Sequence, residues 1–281
     1  MNCQAEIHKL KSEYLEARKI HTQILKEASV SHEPYRHALA LLNIVELDLS
    51  LGAPRADVQL SIDTAKSIMK TLGEMRSATW CDVLQADLNL REEDVLSAKA
   101  IFCKCLNFSW GKYSDIVTYC LERLGDTARW GTTDLTVNWT ILFLVHAGKL
   151  KQKLNIHKAL QFLGDSMLSE GDKDAAVILF TTALEGFTRM DVHHSKAECM
   201  LRLGNISREN GDLTKAAELW NTARPLFERS SQVNQIFDID KNLAATCLAM
   251  AEVHNKGLTD LSERRVPVEF SVMPTAIPEE S

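Results

Sequence analysis

Glu46, Asp87, Asp126, Asp165 and Asn205 form a series of hydrogen-bond acceptors about 39–41 residues apart. Arginines stand three residues from two members of that series, Arg123 and Arg129 flanking Asp126 and Arg202 and Arg208 flanking Asn205. A guanidinium fork donates two parallel hydrogen bonds to a carboxylate. These residue types at this spacing therefore suit a mixed-charge surface that holds an extended or helical peptide. The competing reading is a solvated face whose Asp and Arg side chains satisfy one another, each pair worth ~0–1 kcal/mol.

No other constellation points to a reaction. His193 and His194 lie near Asp191 and Cys199 and are the one group resembling metal ligands. They fall in a predicted turn, where polar residues are expected anyway, and no second His or Cys pair has finger-like spacing, so no metal is expected. Cys103 and Cys105 are two apart on a predicted helix and point away from each other, which suits Cys105 and Cys120 as small core residues and not as a redox pair. No Ser, Cys or Lys has the local base and orienting group that a nucleophile needs. The expectation is a non-enzyme with no catalytic residue and no cofactor.

The chain has 281 residues, 45% hydrophobic and 25% charged, with 12 Gly and 6 Pro, which suits a helix-rich globular protein. Its net charge of −6 gives no general attraction to nucleic acid or anionic membranes. No run of eighteen apolar residues spans a membrane, and the first residues lack the apolar core of a signal peptide. Seven cysteines without framework spacing fit free thiols in a reducing, cytoplasmic compartment. The sequons at Asn107, Asn138 and Asn205 are then chance matches.

A repeat must position the acceptor series. Leu163, Gly164, Gly171, Asp172, Ala176, Phe180, Ala183 and Phe187 recur about forty residues on as Leu203, Gly204, Gly211, Asp212, Ala216, Trp220, Ala223 and Phe227. In each copy an apolar-periodic helix ends at a Gly suited to the left-handed position, and an Asp then caps the next helix. Gly164 and Ala176 let the two helices approach closely, while Phe180 and Ala183 reach the next unit. One period earlier, Gly125, Val137, Ile141 and Leu144 take the matching slots. Phe180 and Trp220 are core, whereas Trp80 and Trp130 fall near the inner side, half-buried or as ligand anchors.

The predicted fold is all-α: a tetratricopeptide-like right-handed solenoid over 1–262, about four and a half units closed by a helix near 238–261. The stretch 6–26 reads as a second helix alone, with an uncovered apolar face. Met1 is then either an internal cut of a longer array or the start of a docking face, and the first is preferred. Pro225 should kink or end its helix, and the proline-bearing tail 263–281 should be disordered.

Four stretches, YRHALALLNIVELDLSLGAP, IVTYCLERLGD, IHKALQFLGD and AECMLRLGNISRENGDLTKAAELWNTARPLFERSSQ, are similar to the tetratricopeptide-like regions of mushroom-type fungal proteins, often found C-terminal to NACHT-class signalling NTPase domains. The resemblance covers roughly residues 15–260 and implies a sensing or partner-binding region. The chain lacks a G-x-x-x-x-G-K-[ST] stretch, so no nucleotide site carries over. The expected function is a protein or peptide scaffold working through its concave surface, without nucleic acid, membrane or small-molecule substrate. Self-assembly through the terminal helices is the alternative, and RNA recognition by helical repeats ranks last, because an acidic series repels phosphate.

Overall fold

The computed structural model describes residues 2–11, 13–126, 134–230 and 232–263. Those residues form thirteen helices and no strand. In chain order they are α1 (Asn2–Leu10), α2 (Tyr14–Val30), α3 (Pro34–Ser50), α4 (Arg55–Thr71), α5 (Met75–Arg91), α6 (Val95–Ser109), α7 (Ser114–Gly125), α8 (Asp134–Lys149), α9 (Lys153–Ser169), α10 (Lys173–Arg189), α11 (His193–Glu209), α12 (Leu213–Arg229) and α13 (Val233–Glu263). Each helix packs on its successor, giving six antiparallel pairs closed by α13. This is the all-α solenoid that the repeat predicts.

The turns follow from local chemistry. Gly171 and Gly211 adopt φ of 87° and 85°, the left-handed conformation that costs a glycine nothing. After α9, the amides of Gly171 and Asp172 return to the carbonyls of Leu168 and Met167, satisfying two groups the helix end leaves open. Asp172 and Asp212 then accept from the amides of Ala175 and Lys215 at 2.9 and 3.0 Å, capping α10 and α12. His32, Glu93, Lys151 and Asp191 take the same left-handed conformation in the glycine-free turns.

Close packing inside a pair depends on the absent side chain of one glycine. A Cβ on Gly164 would lie 2.7 Å from Cε1 of Phe180, and one on Gly204 would lie 2.5 Å from Nε1 of Trp220. Both aromatic rings are fully buried. Phe180 also packs with Leu203 and Ile206 of α11, so it joins successive pairs as expected. Gly164→Ala should lower unfolding stability by about 1–2 kcal/mol, since overpacking costs about 1–3 and the helix gains at most about 1 from alanine. Urea denaturation measures this, and an unchanged midpoint would show that Phe180 does not need the gap.

Three expectations change. The stretch 6–26 is not a lone helix: the chain breaks after Leu10, α1 covers α2, and Ala17 and Ile24 are buried. The array is therefore six pairs and a closing helix among the described residues, in place of four and a half units. Pro225 does not end α12, because it is exposed and so is Asn221, whose carbonyl would have received the missing N–H. The register of α8 also differs by one residue. Thr140, Phe143 and Ala147 are buried where Ile141 and Leu144 were expected, and Ile141 is 46% exposed. Thr140 meets Gly125 and donates to its carbonyl at 2.7 Å. It stands one residue closer in sequence to its glycine than Phe180 and Trp220 stand to theirs. The tail beyond residue 263 lies outside the described residues.

Candidate partner-binding surface

In each pair the first helices are α1, α3, α5, α7, α9 and α11, with α13 continuing their row. A polar side chain joins every consecutive two of them. Lys9 of α1 pairs with Glu46 of α3, which also accepts from Trp80 Nε1 of α5 at 3.0 Å. Asp87 of α5 accepts from the Tyr119 hydroxyl at 2.5 Å and lies 2.9 Å from Nε of Arg123, both on α7. Lys158 of α9 pairs with Glu122 of α7 at 2.7 Å. Asp165 of α9 meets Arg202 of α11 at 2.5 Å, and Gln161 donates to Glu198 at 2.7 Å beside it. Arg208 of α11 donates to Asn242 of α13 at 2.6 Å. Among the described residues no such bridge joins two successive second helices. The first helices α3, α5, α7 and α9 also contact one another directly along their row. The first helices are therefore the closely tied layer, taken as the inner wall of the stack, and the second helices the outer one.

The acceptor series lies on this seam. Asp87 is buried, Glu46, Asp165 and Asn205 are half-buried, and Asp126 caps the end of α7. The structure brings Asp87 to Arg123 and Asp165 to Arg202, whereas Arg208 bonds Asn242 and not a member of the series. Arg129 and Trp130 lie outside the described residues. The pairs are more enclosed than a solvated face. Burial works against charge at Arg123, yet Asp87 and Tyr119 hold its guanidinium well above the ordinary value. Burial also pushes the Tyr119 hydroxyl up. At Asp165 burial raises the carboxyl against the pull of Arg202.

The arginines also lie over aromatic rings, two of them in the buried aromatic slot. Arg202 stands 6.0 Å from the Phe180 centroid and Arg208 stands 5.7 Å from that of Trp220, while Arg123 lies 4.7 Å over Tyr119. The same side chains therefore tie first helices together and roof the core. Reading the series alone passed over Lys9, Tyr119, Gln161, Lys158 and Asn242, the bridging partners. Tyr119, Lys158 and Gln161 stand one or two turns before an acceptor on the same first helix, whereas Lys9 and Asn242 lie on α1 and α13, which carry no member of the series.

Trp80 is half-buried, with its ring edge-on to Tyr119 at 4.9 Å. His193 bonds Asp191 at 3.0 Å, and His194 lies 3.5 Å from Glu198 with its ring against Phe227. Cys199 is buried in the core, where desolvation pushes its thiol up. Among the described residues no group of three His, Cys, Asp or Glu side chains is placed to hold a metal ion. Cys103 is partly exposed while Cys105 and Cys120 are buried, and burial raises the Cys105 thiol to about 12. No helix among the described residues is long and apolar enough to cross a membrane.

These helices and their seam define an all-α solenoid of tetratricopeptide-like fold. A solved structure from Pyrococcus horikoshii, a Signal Transduction ATPase with Numerous Domains carrying a tetratricopeptide repeat sensor, is similar over 92% of this chain, with 14% identity and a TM-score of 0.58. This chain spans 42% of that protein's length. A second structure, BtubC from P. vanneervenii, matches 95% of this chain and 99% of its own at 14% identity and a TM-score of 0.43. No family model matches the sequence, and no curated protein does.

Proposed function

We propose that the chain is a non-catalytic scaffold or sensor region that receives a protein or peptide on the inner wall formed by its first helices. The observation that carries this is the continuous polar seam from Lys9 to Asn242, which fixes the wall before any partner arrives. A preformed surface leaves the ordering cost of binding to the partner. Glu46, Asp126, Asp165, Asn205 and Arg208 line the floor in this reading, while Asp87 and Arg123 position it. The resemblance to regions beside NACHT-class NTPases, and the likeness to a protein with a repeat sensor, support a sensing role in signalling. All seven cysteines are free, which supports a reducing, cytoplasmic setting.

The test is a charge exchange that spares the internal pair. Asp165→Arg with Arg202→Asp keeps one attraction between α9 and α11 but inverts the charge pattern offered to a ligand. A partner captured by the wild type should be lost by the exchanged protein while its helical circular dichroism is retained. Equal capture by both would remove the inner wall from the binding site.

A further inference from the structure

The whole-chain charge conceals a local segregation. No acidic residue occurs in 95–114 or 135–164, although the chain holds 38 of them. Those stretches form α6, α8, the turns that follow them and the first three turns of α9. Along α6, α8 and the turns that follow them, up to the start of α9, Lys104, Lys112, Lys149, Lys151 and Lys153 are exposed, and none forms an ion pair among the described residues. The same segments expose apolar side chains that solvent should not see: Trp110 is 57% exposed and Val145 63%, and Phe108, Ile141 and Leu142 are exposed as well. The turn after α6 reaches α8 there, the Trp110 and His146 rings lying 6.3 Å apart, and Lys112 lies 4.8 Å over the Phe108 ring of its own segment.

The register of α8 creates this surface. Placing Thr140 in the core slot turns Ile141, Leu142 and Val145 outward, the reverse of what burial alone favours. We propose that this outer face docks on an anionic phospholipid bilayer, peripherally and without spanning it. Lysines meet the charged headgroups, Trp110 suits the headgroup boundary, and the branched side chains enter the acyl layer. The complement of unpaired lysines interspersed with exposed apolar side chains is a surface that is anionic outside and apolar beneath. The face lies on the outer helix layer, opposite the wall assigned to a protein partner, and a bilayer can conform to it.

The experiment is co-sedimentation of the full chain with vesicles of phosphatidylcholine alone or phosphatidylcholine mixed with phosphatidylserine. Wild type should sediment with the mixed vesicles and be released by salt. Lys149→Gln, Lys151→Gln and Lys153→Gln together should lower partitioning by about a hundredfold, each lysine near an anionic surface accounting for roughly fivefold. Val145→Asp, at an exposed position that leaves the fold intact, should also abolish binding. Failure of wild type to sediment with either vesicle overturns the proposal, even if an acidic protein is captured on this face. Sedimentation unchanged by these substitutions overturns it as well.

Discussion

Asp87→Ala should lower the unfolding free energy by about 3–5 kcal/mol, far more than the ~0–1 expected of a surface ion pair. The carboxylate is 6% exposed and accepts from Tyr119 while facing Arg123. Removing it leaves the Arg123 guanidinium in a site that disfavours charge, with the Tyr119 hydroxyl losing its acceptor. The loss is mostly the penalty of what stays behind, so Asp87→Ala combined with Arg123→Met should recover much of it. Urea unfolding of the two single variants and the double measures the coupling. Additive effects, or a loss below about 1 kcal/mol for Asp87→Ala, would mean that the pair behaves as a solvated one.

Trp220→Ala should cost a similar amount, about 3–5 kcal/mol, by a different route. The ring is fully buried and packs with Ala197, Ala223, Phe227 and Ile239, joining α11, α12 and α13. Truncation leaves a cavity against Gly204, which has no side chain to fill it. The indole Nε1 is buried without a hydrogen-bond partner, so no bond is lost with it. Trp220→Phe should therefore be mild, at about 1 kcal/mol, because Phe180 already fills the equivalent slot one unit earlier. Thermal unfolding of both variants checks the ranking. A loss for Phe as large as for Ala would assign Trp220 a role beyond packing.

Much of the architecture was legible because glycine carries it. Gly164, Gly171, Gly204 and Gly211 mark close approaches and left-handed turns, and the pairs they define fall where expected. Boundaries without such a signal were harder. Asp191 and Glu93 take the left-handed turn that glycine marks elsewhere, and the break after Leu10 is followed by no glycine, so α1 merged with α2. The one-residue difference in α8 was hidden because that helix is apolar on most sides, so either register looks amphipathic. At the seam, spacing found the acceptors, but burial decides their chemistry. Asp87 and Asp165 look like groove ligands in sequence, and only the packing of α7 and α11 shows each held by an arginine of the next unit.

Hydrogen exchange on the free protein and on its complex with a captured partner tests the central claim most directly. The account predicts that the partner adds protection to α3, α7, α9 and α11, with α4, α6, α8 and α10 unchanged. Added protection confined to the outer helices would contradict it, and would place the partner on a face other than the inner wall.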